Sequence, residues 1–87
     1  MTRMLAYEWA DHGIRVNAIA PGLVETSSRV AWLDSNDKQR ETMLARVPLK
    51  RFTSLDDVSG AVCYLAGSHG SYITGQTIVL DGGITTY

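Results

Sequence analysis

Apolar residues at Met1, Met4, Leu5 and Trp9 recur at the spacing of one helix face, so residues 1 to about 12 read as a helix that Gly13 stops. Beyond Gly13 the period changes: Ile14, Val16 and Ile19 are β-branched, and a strand is expected over residues 14–20. It should break at Pro21-Gly22, where one residue has no donor and the next can take positive φ. A second helical stripe, formed by Leu55, Val58, Ala61, Val62, Leu65 and Ala66, predicts a helix over Leu55–Ala66. Ser54 with Asp57 three residues on has the form of a capping box with aspartate in place of glutamate, and Gly67 falls at the C′ position. The last apolar run, Ile78-Val79-Leu80, does not alternate. Thr77–Leu80 is therefore expected as a parallel strand covered on both faces.

Strand, helix, strand in this order is a βαβ unit, whose crossover should be right-handed. Between the first strand and the crossover helix lies an insertion, residues 27–47. Asn36-Asp37 can cap a short helix over residues 38–46 with Met43, Leu44 and Val47 on its apolar side, and Val30, Ala31, Trp32 and Leu33 form an apolar patch too short to assign. Two parallel strands leave edges and faces that need partners, so the fold class is α/β with a sheet incomplete as a domain. The first helix, with no residue before Met1 to cap it, reads as the tail of a longer helix.

Composition changes this picture little. Eighty-seven residues amount to one domain or less, and a chain of that size buries only ~60–65% of its unfolded surface. Eight basic side chains against nine acidic ones, net −1, offer no electrostatic footprint for nucleic acid or an anionic membrane surface, and neither partner is expected. No apolar run approaches the ~18 residues of a membrane span. Arg3, Glu8 and Asp11 also interrupt the amino-terminal segment where a signal sequence would stay apolar. The single cysteine, Cys63, lies among Val62, Tyr64 and Leu65 and is expected as a buried, inert thiol, with a reducing cytoplasm as the default compartment. His12 and His69 have no second ligand at metal spacing.

In an open parallel sheet ligands sit just beyond the carboxyl ends of the strands, which makes the break at Pro21-Gly22, followed by a hydroxyl at Thr26, the candidate ligand edge. Gly13-Ile14-Arg15-Val16-Asn17, Pro21-Gly22 and Thr26 also resemble, position by position, the signature that follows the catalytic helix of the short-chain dehydrogenases/reductases, a family of NAD(P)-dependent oxidoreductases. The resemblance continues through Pro48-Leu49-Lys50-Arg51-Phe52, Asp57-Val58, Tyr64-Leu65-Ala66, Ser71-Tyr72-Ile73-Thr74-Gly75-Gln76 and Asp81-Gly82-Gly83. It implies the C-terminal third of a Rossmann-like doubly wound parallel sheet: helix tail, strand, lid helix, crossover helix and strand, all in one partial domain over residues 1–87. It further implies NAD or NADP as cofactor of the complete fold, a small alcohol or carbonyl substrate, and a homo-oligomer formed through Leu55–Ala66 and Thr77–Leu80.

By the same resemblance Pro21-Gly22 lets the backbone lie close to the nicotinamide ring, the backbone of Val24 meets the carboxamide, and Thr26 hydrogen-bonds the carboxamide or a phosphate oxygen. Residues 27–47 then form a substrate lid lined by Trp32 and Leu33, and Arg51 anchors that lid to the body. Without the resemblance, Pro21-Gly22 can be only a turn, Thr26 only a helix cap, and Trp32 and Leu33 packing against the crossover helix. Arg15 and Asn17 are expected to order the backbone, Glu8 to be a partly buried tie on the first helix, and Asp81-Gly82-Gly83 to be a tight turn.

The family's reactive groups are missing from these residues. There a tyrosine acts as acid/base, its pKa lowered by a lysine four residues later, and a serine holds the substrate oxygen. The lysines here are Lys38 and Lys50, and four residues before them stand Asp34 and Arg46. None of the eight glycines forms the G-x-G-x-x-G or G-x-x-x-G-x-G turn that carries a pyrophosphate. No catalytic residue is assigned, and the chain alone is expected to be inactive. The competing reading is a non-enzymatic module that docks onto a full-length relative by completing its sheet. In either case the isolated chain should self-associate through its open strand edge, so its mass in sedimentation equilibrium should rise with concentration. A monodisperse monomer with a sharp, cooperative thermal transition is the contrary result.

Overall fold

The computed structural model describes residues 1–24, 32 and 35–86. Helix α1 (Thr2–Trp9) tightens into a 3-10 turn over Ala10–His12, and Gly13, at φ 71°, ends it in the left-handed region. Strand β1 (Ala18–Pro21) is followed by α2 (Asp37–Ala45), α3 (Leu55–Ala66) and β2 (Thr77–Leu80). The two strands pair in parallel, from Ala18 against Thr77 to Pro21 against Leu80, with α3 on the connection between them as a βαβ unit requires.

The first strand starts at Ala18 rather than Ile14 and takes in Pro21. Opposite residues 15–17 the chain before β2 is turning, with Gly75 at φ 75°, so no regular ladder can extend there. One backbone bond remains, from the Gly75 amide to the Val16 carbonyl at 2.7 Å, and side chains bridge the rest. Arg15 Nη1 and Asn17 Nδ2 both donate to the Ile73 carbonyl, at 3.2 and 2.9 Å, and Asn17 Oδ1 accepts the Gln76 amide at 3.1 Å. Both residues thus order the backbone, as expected. Pro21 is tolerated because the donors facing β2 come from alternate positions: Ala18 to the Gln76 carbonyl at 2.9 Å and Gly22 to the Leu80 carbonyl at 2.8 Å. The missing N–H of Pro21 faces the other edge.

The start of α3 is the best-tied helix end. Ser54 Oγ accepts the Asp57 amide at 3.1 Å, Asp57 Oδ2 accepts the Ser54 amide at 3.0 Å, and Arg51 Nη1 reaches the same oxygen at 2.9 Å. The predicted capping box is therefore present, with Arg51 closing it. The far end differs from expectation: Gly67 is extended (φ −83°, ψ −178°) rather than left-handed, and its amide donates to the Cys63 carbonyl at 2.9 Å. At α2 the cap also differs, since Asn36 Nδ2 turns back to the Trp32 carbonyl at 2.7 Å and leaves the helix amides alone.

The core is thin: Ala6, Val47, Phe52 and Leu65 are its buried side chains among the described residues. The accessible surface of 6474 Å² exceeds the ~5,000 Å² typical of a compact monomer of this mass, and the radius of gyration of 16.1 Å exceeds the ~12 Å typical of this length. Several sequence expectations fail for this one reason. Met1, Met4 and Trp9 on the predicted apolar face of α1 are exposed, as is Glu8, which ties nothing among the described residues. Cys63 is exposed rather than buried. In β2 burial alternates, and Val79 stands 52% exposed where coverage on both faces was expected.

The capping box makes a pH-dependent prediction. The Arg51 hydrogen bond, then those from the Ser54 amide and hydroxyl, lower the Asp57 pKa from 3.8 to about 2. Because the folded value lies below the unfolded one, this stabilisation is complete above the unfolded value and is lost as pH falls through about 2. Helical signal at 222 nm should decline across that window, and Asp57→Asn should flatten the decline.

Candidate functional site

Three loops converge beyond the carboxyl ends of β1 and β2: residues 21–24, 47–53 and 81–84. Thr53 binds two of them together. Its amide donates to the Leu23 carbonyl at 2.8 Å, its hydroxyl to the Leu80 carbonyl at 3.2 Å, and it forms a parallel bridge with Val24. The third connection runs from the Leu49 amide to the Gly82 carbonyl, 3.1 Å.

The turn after β2 is built for close approach. Gly82 and Gly83 take φ of 63° and 97°. A Cβ on Gly82 would stand 2.6 Å from Val47 Cγ1, and one on Gly83 would stand 3.1 Å from Pro48 Cγ. The Asp81 carboxylate accepts the Gly83 amide at 3.0 Å and the Thr85 amide at 3.1 Å. Hydrogen bonds from Thr85 and the Gly83 amide hold its pKa below the usual carboxylate value. Asp81 is thus an ionised acceptor that shapes the turn, the expected tight turn with its cause visible.

Pro21, Gly22 and Val24 lie at the mouth of this junction; Thr26 and Leu33 fall outside the described residues. Gly22 does not take the positive φ that the sequence suggested. A Cβ there would stand 3.1 Å from Asp81 Cα and 3.3 Å from its Cβ, so glycine lets the loops after the two strands approach without either giving way by a few tenths of an ångström. In the bridge to Thr53 the Leu23 carbonyl is the acceptor, and in a parallel bridge of that register the N–H and C=O of Val24 face away from Thr53. One donor and one acceptor on adjacent backbone atoms are what a carboxamide requires. Trp32 is half-exposed, and its carbonyl accepts from Asn36 Nδ2 and from the Ser35 amide.

Helix α2 is tied to this junction by the Arg40 guanidinium, 5.8 Å from the centre of the Phe52 ring, and by buried Val47. A groove of about 510 Å³ opens between these parts, lined by Leu23, Met43, Arg46 and Ile84. Arg51, expected to anchor the lid, ties residues 47–53 to the start of α3 through Asp57. Sequence reasoning missed Thr53, which has no motif to mark it, and did not connect Val47-Pro48 with the double glycine of the Asp81 turn. Among the described residues no three of His, Cys, Asp and Glu group as metal ligands, and no helix is long and apolar enough to cross a membrane.

A parallel βαβ unit with its loops gathered at the carboxyl ends of the strands is part of a dinucleotide-type α/β domain. A family model described as "Enoyl-(Acyl carrier protein) reductase" matches residues 1–85. Glucose 1-dehydrogenase of Gluconobacter oxydans is 40% identical over 87 residues, covering 100% of this chain and 32% of that protein. A solved structure of a proposed 2-deoxy-D-gluconate 3-dehydrogenase from Agrobacterium tumefaciens with bound NADP superposes with a TM-score of 0.88 at 37% identity, covering 99% of this chain and 35% of that one. A 4-hydroxyisoleucine dehydrogenase mutant complexed with NADH and succinate superposes at 0.90 with 29% identity, covering 99% and 35%. The chain belongs to the short-chain dehydrogenase/reductase family of oxidoreductases, whose fold is the Rossmann-like sheet expected from the sequence. It spans about one third of the length of the relatives it matches.

The junction predicts opposite effects at two glycines. Gly82→Ala should destabilise the chain by about 2 kcal/mol or more, through left-handed strain and collision with Val47. Gly60→Ala, inside α3 with open space where the Cβ would lie, should stabilise it by about 0.5–1 kcal/mol. Urea denaturation followed at 222 nm compares the two.

Proposed function

We propose that this chain supplies the nicotinamide-side wall and the substrate lid of an NAD(P)-dependent oxidoreductase, which transfers hydride between the cofactor and an alcohol or carbonyl carbon. The observation that carries this reading is the junction at Thr53, which presents the Val24 peptide group beyond the end of β1 and fixes it to β2 through Leu80. NAD or NADP, when bound, supplies the hydride-carrying ring. Gly22 keeps the β1 loop flat against the Asp81 turn, Val24 offers its amide and carbonyl to the carboxamide, and Thr26 is the proposed hydroxyl partner. Helix α2, with Trp32 and Leu33 in the proposed lid of residues 27–47, covers the substrate side and limits water.

The acid/base and diphosphate-binding groups lie outside these residues, so turnover needs the rest of such a fold. We further propose assembly through α3 and β2, where Leu55, Val62, Tyr64 and Val79 are all exposed. A reducing cytoplasm suits the exposed, unpaired Cys63. Docking onto a full-length relative would use the same surfaces and remains the second reading.

Titration of the purified chain with NADH, followed by fluorescence, tests the division of labour. Binding weaker than about 1 mM and no oxidation of alcohols with NAD or NADP are expected. Micromolar binding or measurable turnover by the chain alone would overturn the proposal.

A further inference from the structure

Among the described residues, the groove between α2 and the junction carries one formal charge on its wall, Arg46. Leu23, Met43 and Ile84, the other described residues that line it, are apolar, and at about 510 Å³ it lies within the usual range for small-molecule sites. A cation beside the last turn of a helix commonly serves the helix itself, by meeting its exposed carbonyls. Here that task belongs to another residue. Lys50 takes a left-handed conformation (φ 59°), and its Nζ donates to the Ala45 carbonyl at 2.9 Å. Arg46 is left with no ion-pair partner among the described residues. Among the described residues of the adjoining loops the acid is Asp81, and its oxygens are engaged by the Gly83 and Thr85 amides.

An apolar trough with a free guanidinium at its wall selects a ligand that is apolar along its body and anionic at one end, because guanidinium pairs with carboxylate in a planar, charge-assisted geometry. Building on the hydride-transfer reading above, we propose that the substrate is a medium-chain oxo- or hydroxycarboxylate whose carboxylate rests on Arg46 and whose chain lies along Leu23, Met43 and Ile84. Lys50 then neutralises the negative end of α2 that would otherwise repel such an anion.

The test uses the 87-residue chain and ligand-observed saturation-transfer NMR, with hexanoate and its neutral isostere hexanamide as probes. Hexanoate should bind about fivefold more tightly than hexanamide. Arg46→Gln should abolish that preference, and Arg46→Lys, which keeps the charge and guards against a misfolded variant, should retain part of it. Equal binding of the two probes, or a preference that survives Arg46→Gln, would overturn the assignment. The NADH titration is scored separately: a failed cofactor reading shows there, while the carboxylate preference is judged on the two probes alone.

Discussion

Thr53 places its amide on the Leu23 carbonyl and its hydroxyl on the Leu80 carbonyl, joining the ends of two strands that are each only four residues long. Parallel strands this short have few ladder bonds, and their ends would fray without a cross-link. The threonine can serve both because a backbone donor and a side-chain donor on one residue point to different acceptors. The Pro21-Gly22 turn, the Asp81 turn and the base of α2 are all positioned relative to this clamp. The loops at the carboxyl end of the sheet are therefore cross-linked even though the sheet is narrow.

Two carboxylates among the described residues work as backbone acceptors. Asp57 closes the first turn of α3 with Ser54 and Arg51, and Asp81 gathers the amides of its own turn. Both are held ionised by these hydrogen bonds, which suits structural acceptors and does not suit groups that must exchange a proton near neutral pH. Asp57 and Asp81 thus hold and shape the backbone around them.

The exposed apolar surface has a simple relation to the chain's extent. Relatives in the same family are about three times as long, and the faces of α1, α3 and β2 left uncovered here are those of a sheet with only two strands. Met4, Trp9, Val62 and Val79 are spaced as core residues, yet they find no layer to meet within these residues.

Local patterns were enough to locate the elements: the helical stripe and Ser54–Asp57 box mark α3, Gly13 marks the end of the first helix, and the Ile-Val-Leu run marks β2, because each depends on interactions within a few residues of chain. The motifs at 13–26 and 71–83 likewise carried the family. Burial could not be read this way, since Cys63, Glu8 and Val79 take their exposure from which layers are present, and periodicity is silent on that. The start of β1 depended on where residues 73–76 turn, and the tight fit at Gly22 on how near Asp81 comes. These are contacts between segments more than fifty residues apart, so only the folded chain, by bringing them to van der Waals distance, decided them.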